Sequence, residues 1–312
     1  MQYDGTNLRE VIEDHKKWLV SNRSGNFEKY RARFGYFILS CASLVCENLD
    51  GAIFTGTTIS GCHFSNCSFV GALFELCTIK DTVMRNSDFS NVSIGTTDIT
   101  NVSFANSVFR NADFRNMHFY GDSIDMSCTK LEGASFYHCN FDKTSFIKSN
   151  MTDAHFGYSC LGESNLTDAW IRNTHFNNAY IEKAMMPYFP MVCPDEGEFI
   201  AWKACRVSWG NEVVIVKLLI PKDAKRSSGT GRKCRADKAK VLEFQSLDGT
   251  KLNGKQKSCI VSWWNGRFTY NIGKIVKPEE PFCENRYEEC ASGIHFFMNR
   301  EEAVRFALDT IK

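Results

Sequence analysis

Large apolar residues recur every five positions through the N-terminal half of the chain. From Leu44 the step of five reaches Leu49, Phe54, Ile59 and Phe64, and it continues without exception to Ile124. It breaks at Thr129, resumes at Leu131 and runs to Met186, giving twenty-nine apolar positions in two registers. An α-helix repeats its buried face every 3.6 residues and a flat strand every two, so neither keeps residues five apart on one inner side. An internal repeat of this length decides the architecture before any secondary-structure assignment.

The remaining positions of each five supply the geometry. Two residues before the large side chain stands a small one, as at Ala52, Thr57, Cys62, Cys67, Ala72 and Cys77. One large and one small inward side chain fit a narrow tube that two large ones would overfill. Two residues after the large side chain, Gly or Asn recurs, as at Gly56, Gly61, Asn66, Gly71, Asn101, Asn106 and Asn111. Gly and Asn tolerate the left-handed backbone of a tight corner. Each five residues therefore make a short extended side and a corner, and four sides close a square coil. The change of register predicts two extra residues at 128–130, forming a bulge on one corner.

This pattern resembles the pentapeptide-repeat family, over about residues 42–186. The resemblance implies a mainly β fold, a right-handed quadrilateral β-helix of about seven coils, which at roughly 4.8 Å per coil makes a rod of about 34 Å. Open solenoid ends need covering. Leu8, Val11, Ile12, His15, Trp18 and Leu19 share one helical face, and Asn7 with Glu10 has capping-box spacing, so residues 1–41 read as an N-terminal helical cap. The inward cysteines read as small core hydrophobes.

Residues 187–312 read as a second domain of mixed α and β structure (α+β). Strands are predicted at 198–205, 212–220, 238–245, 267–276 and 293–297, with Asn299 capping a last helix through Leu308 and Glu302 at the capping-box position. Residues 222–240 form a predicted loop with eight basic and two acidic residues. There Gly229 and Gly231 flank Thr230, and Lys225, Arg226, Arg232, Lys233 and Arg235 crowd round them. Backbone N–H groups with clustered cationic side chains suit a phosphate or an acidic partner, and a solvated surface loop is the competing reading.

The strings AKRSSGTGRKCRADKAKVLEF and CASGIHFFMNREEAV resemble a domain often fused behind pentapeptide repeats in phage and gut-bacterial proteins, over about residues 196–308. The resemblance implies a phage or prophage origin and carries no chemistry with it. GIHFF is also similar to a strand of ADP-ribosyltransferases, which would put His295 in an aromatic position of a nicotinamide pocket, but the family's opening His or Arg motif and a clear catalytic glutamate are missing.

Several function classes are disfavoured by the residues themselves. The formal net charge of +1 gives no global field toward nucleic acid or anionic membrane. The N-terminus is polar rather than signal-like, no apolar run is long enough to span a membrane, and fourteen scattered cysteines fit reduced thiols in a bacterial host cytoplasm. No C-x-x-C pair points to a metal, no motif points to a cofactor, and no serine has a nucleophile-elbow context.

Some pentapeptide-repeat proteins mimic DNA and bind gyrase through acidic faces. Residues 42–186 hold fifteen acids and nine bases, yet a twenty-residue step leads from Asp88 to Val108 and from Glu75 to Gly95, so the acids build no ladder. The same step stacks the sides of Phe136, Phe156 and Phe176, whose outward residues Tyr137, His138, His155, Tyr158 and His175 form a candidate protein-binding patch. The expected function is a non-catalytic binding protein. In it a rod positions a basic domain against a host protein or protein–nucleic-acid complex, such as a defence complex, and blocks it. A nucleotide-binding or sequestering domain at 222–240 and a DNA-mimic inhibitor of a gyrase-like enzyme are the alternatives. Such a rod has two ends through which copies could pair as a homodimer.

Overall fold

The computed structural model describes residues 5–311 apart from 121–123, 209, 211 and 253–258. The chain divides into two compact units, Met1–Phe189 and Pro190–Lys312. Unit 1 is a β-solenoid preceded by a helix, and unit 2 is a β-rich domain closed by a helix.

In the solenoid, three-residue rungs pair in parallel with rungs twenty residues on, as Phe54 pairs with Phe74 and Ile59 with Ile79. The inward large residues stack in columns. The Phe54 and Phe74 rings lie 4.4 Å apart at 1°, and those of Phe136 and Phe156 lie 4.7 Å apart. Corner residues two positions after the large one hold positive φ, among them Gly56, Asn66, Asn106 and Asn111. The predicted left-handed corner backbone is therefore observed, but residues other than Gly and Asn hold it too, among them Leu76, Thr96 and Lys143.

The small inward position also carries a hydrogen bond. The Thr57 hydroxyl donates to the Phe34 carbonyl at 2.5 Å, Ser164 to Phe141 at 2.7 Å and Ser149 to Met126 at 2.8 Å. The Cys62 and Cys77 thiols point the same way, each 3.4 Å from a carbonyl oxygen. A hydroxyl or thiol there reaches the carbonyl of a large inward residue of the preceding coil, which explains Ser, Thr and Cys beside Ala. Burial pushes these thiols up, Cys139 to about 12.

Two boundaries differ from the sequence expectation. The first rung is Arg33–Gly35, pairing with Ile53–Thr55, so the coil begins before residue 42. The extra residues lie between Phe119 and Met126 rather than at 128–130. Ser103 pairs with Val83 twenty residues back but with Asp125 twenty-two residues on. Met126 therefore takes the large inward position, and Ile124 takes the small one. Cys128 is an ordinary corner with φ 55°.

The helix α1 (Gly5–Val20) buries Leu8, Ile12, His15 and Trp18. Asn7 lies inside this helix rather than at its cap. His15 Nδ1 accepts the Ala32 N–H at 3.1 Å, and Arg31 Nε donates to the Gly51 carbonyl at 2.6 Å, tying the helical segment to the first coil.

Unit 2 contains β1 (Phe199–Val207), β2 (Val213–Ile220), β3 (Arg226–Ser228), β4 (Cys234–Ala236), β5 (Ala239–Gln245), β6 (Ile260–Ser262), β7 (Thr269–Tyr270), β8 (Ile275–Val276), β9 (Ile294–Phe296) and α2 (Arg300–Ile311). One sheet runs β7-β6-β1-β2-β5-β8 and the other β3-β4-β9. Strand alternation splits β2 between two cores. Val213 and Ile215 meet Ala303 and Ala307 of α2, whereas Val214, Val216 and Leu218 join the larger core with Phe296. The Asn299 N–H donates to Glu302 Oε2 at 3.3 Å, which is half of the expected capping box.

Candidate functional site

The predicted basic loop at 222–240 is a hairpin, β3 pairing antiparallel with β4. Between the strands, Gly229, Thr230 and Gly231 do form a cradle of N–H groups for an anion. That anion is the carboxylate of Glu289. Its Oε1 accepts the Thr230 N–H at 2.9 Å, the Gly231 N–H at 3.0 Å and the Thr230 hydroxyl at 3.2 Å. A Cβ on Gly229 would stand 2.5 Å from Glu289 Cγ, so only glycine admits this approach.

The cations are similarly committed. Arg226 donates to the carbonyls of Ala224, Gly197, Pro194, Pro221 and Lys222 and lies over the Phe199 ring. Arg235 is 2% exposed and donates to the carbonyls of Cys283, Ser292 and Asn285. Arg232 pairs with Glu302 at 2.6 Å, and Lys225 pairs with Glu284. Lys225, Arg226, Thr230, Arg232 and Arg235 are thus not an open anion site, because each is satisfied inside the domain. Lys233 differs from them: it has no hydrogen-bond or ion-pair partner among the described residues, and its Nζ lies 6.0 Å from the Phe306 ring.

Lys233 borders a cleft of about 340 Å³ that is also lined by Lys203, His295, Trp263, Trp264 and Phe306. Lys203, on β1, donates to the His295 carbonyl at 3.0 Å. Burial of its ammonium lowers the Lys203 pKa, and the Lys233 charge acts in the same direction. His295 Nε2 lies 3.0 Å from the Glu289 carbonyl, and burial, then Lys233 and Lys203, hold its pKa down at about 3. His295 is therefore a neutral ring at physiological pH. Nothing in the sequence spacing singles out Lys203, Trp263 or Trp264 beyond the tandem tryptophans.

On the solenoid the five predicted patch residues fall into two clusters. His155 and His175 pair across adjacent coils with ring centroids 4.5 Å apart at 16°. Burial, then His175, lowers the His155 pKa. Tyr137, His138 and Tyr158 form a second cluster with centroid separations of 4.4 to 5.4 Å. His138 and Tyr158 occupy left-handed corners, at φ 57° and 58°. Acidic side chains elsewhere on the solenoid are partly offset by bases, as Arg110 with Glu132 and Arg85 with Asp125.

In sequence, the pentapeptide-repeat family matches residues 39–69, 59–95 and 124–157, and a family of unknown function (DUF5758) matches residues 189–303. No curated protein matches the sequence. Among solved structures, the chain is similar to a trypsin-treated form of QnrB1, a plasmid-mediated fluoroquinolone resistance protein. That match has 21% identity and a TM-score of 0.47, and it covers 51% of this chain and 81% of that one. It is also similar to HetL, involved in heterocyst differentiation regulation in the cyanobacterium Nostoc sp. strain PCC 7120. There the identity is 16% and the TM-score 0.37, over 50% of this chain and 79% of that one. The chain is a pentapeptide-repeat β-solenoid protein whose C-terminal domain matches a family of unknown function.

Proposed function

We propose that the chain is a non-catalytic binding protein that engages a macromolecular partner through the Tyr137, His138 and Tyr158 cluster and blocks it stoichiometrically. One observation carries this reading: two large aromatic side chains are held at left-handed corners without being buried. An L-residue there costs roughly 1–2 kcal/mol relative to glycine, and Tyr158 remains 52% exposed, so its own fold recovers little of that cost. Tyr137, 48% exposed, packs edge-on beside it. A rigid cluster of exposed aromatics buries large area at little entropic cost when a partner covers it.

The phage-type resemblance of the C-terminal domain makes a host complex the target class, in a bacterial cytoplasm. The test is capture from a bacterial host extract by the tagged full chain and by the Tyr137→Ser/Tyr158→Ser variant. A partner retained by the wild type and lost from an equally stable variant supports the reading; undiminished capture overturns it. Inhibition of gyrase supercoiling that survives this double change would favour DNA mimicry instead.

A further inference from the structure

We propose that the cleft bordered by Lys203, Lys233 and the Trp263–Trp264 pair is a binding site for a mononucleotide, a ligand that joins one phosphate to a planar base. This site is independent of the solenoid patch. Its volume of about 340 Å³ lies at the lower end of small-molecule pockets, where a mononucleotide fits and a dinucleotide does not.

The two kinds of wall ask for two kinds of chemistry. Lys203 and Lys233 bring two ammonium groups to one cleft, and no carboxylate lines it among the described residues. Every neighbouring cation of the hairpin is hydrogen-bonded or ion-paired within the domain, as Arg232 is with Glu302, whereas the Lys233 ammonium has no hydrogen-bond or ion-pair partner among the described residues and lies 6.0 Å from the Phe306 ring. Like charges so placed repel, and a bound anion would convert that repulsion into charge-assisted hydrogen bonds. Trp263 and Phe306 also line the cleft, with the Lys233 Nζ 6.0 Å from the Phe306 ring and Trp264 77% exposed. An exposed indole beside a cationic cleft offers a stacking platform that inorganic phosphate would leave uncovered. A purely apolar ligand would leave the Lys233 ammonium without a hydrogen-bond or ion-pair partner.

Of the two ammonium groups, Lys203 alone also borders the next cleft. A shallower neighbouring cleft shares Lys203, Ser262, Cys290 and His295 with it, and there Glu279 and Glu280 contribute to the lining. A longer phosphate chain reaching past the shared wall would meet those carboxylates, which favours one phosphate over three.

The test is titration of the full chain with AMP, GMP, CMP and UMP, followed by calorimetry and by tryptophan fluorescence. At least one mononucleotide should bind saturably and quench fluorescence. Its nucleoside and inorganic phosphate should each bind at least about tenfold more weakly. Lys233→Ala should weaken binding by about tenfold or more without altering the melting curve, since the Lys233 side chain makes no hydrogen bond or ion pair among the described residues and its ammonium stands 6.0 Å from the Phe306 ring. Trp264→Ala should weaken binding and remove most of the quench. Absence of saturable binding by all four up to about 1 mM would overturn the proposal. So would an unchanged affinity in Lys233→Ala, or inorganic phosphate binding as tightly as the nucleotide.

Discussion

Glu289 Oε1 accepts the N–H groups of Thr230 and Gly231 at 2.9 and 3.0 Å, so a carboxylate fifty-nine residues away fills the anion cradle of the β3–β4 turn. Thr230 is 3% exposed, and solvent cannot readily replace the lost acceptor. Glu289→Ala should therefore cost about 2–3 kcal/mol, and Glu289→Gln, which keeps a carbonyl acceptor, about half of that. Urea unfolding followed by tryptophan fluorescence reads this out, because four of the six tryptophans lie in residues 202–264. Sulfate should raise the stability of Glu289→Ala more than that of wild type by occupying the vacated cradle. Equal sulfate responses would show that the cradle does not select an anion.

Corner conformation gives a second prediction. Thr96 is a β-branched residue at φ 45°, and Leu76 stands at φ 56° with 53% of its surface exposed. Asn tolerates that backbone better, and at other corners it also bridges coils, as Asn101 Nδ2 donates to Asp81 at 3.1 Å. Thr96→Asn and Leu76→Asn should each stabilise the solenoid by about 0.5–1 kcal/mol. Asn106→Val, the reverse change, should destabilise it by about 1–2 kcal/mol. Thermal melts followed by far-UV circular dichroism measure all three, and a destabilised Thr96→Asn would refute the strain assigned to that corner.

The rod was legible because each position of the five answers a separate physical demand, and these demands repeat. Its start was hidden because Tyr36 and Cys41 take left-handed corners without being Gly or Asn. The insertion was misplaced because Ile124 fills a small-residue position and extends the apolar count by one false step. In unit 2 the long strands β1, β2 and β5 announced themselves by β-branched and apolar runs. The hairpin did not, since Arg226 and Arg235 are held by backbone carbonyls, and a carbonyl leaves no trace in residue type. Glycines flanking Thr230 did announce an anion cradle, but the identity of its anion depended on a distant segment. The cleft depends on β1, the β6 end and β9 meeting, which short-range pattern cannot reveal.

Acid should open the N-terminal helix. His15 is fully buried, and its Nδ1 must remain unprotonated to accept the Ala32 N–H. Burial first lowers its pKa from 6.5 to about 4. The unfolded chain therefore takes up the proton first as pH falls. Stability is complete above about pH 6.5, declines from there to about pH 4, and the full loss is about 3 kcal/mol. At pH 5 the loss should be about 2 kcal/mol. Hydrogen exchange of the α1 amides at pH 7 and pH 5, after correction for intrinsic rates, reports it. His15→Gln should be less stable at pH 7 but show a flatter pH dependence. An equally steep dependence in that variant would assign the acid sensitivity to other groups.

The last prediction separates two arginines that look alike in the sequence. Arg232 and Arg235 both belong to the basic run, and a shared role in binding would make their removal comparable. Their surroundings are opposite. Arg232 forms an ion pair with Glu302 while its side chain is 52% exposed, and pairs of this kind contribute about 0–1 kcal/mol. Arg235 is 2% exposed, with its guanidinium over the Phe282 ring and its N–H groups on the carbonyls of Cys283, Asn285 and Ser292. Truncating it leaves three acceptors without their donor and a void beneath the 282–292 segment. Arg235→Ala should cost about 3 kcal/mol or more, and Arg232→Ala less than about 1 kcal/mol. Arg235→Lys should recover little, because one ammonium cannot span carbonyls that the planar guanidinium reaches from two nitrogens. Urea unfolding of the three variants decides it: comparable small losses would mean that Arg235 is a surface cation, and that the 282–292 segment is held by other contacts.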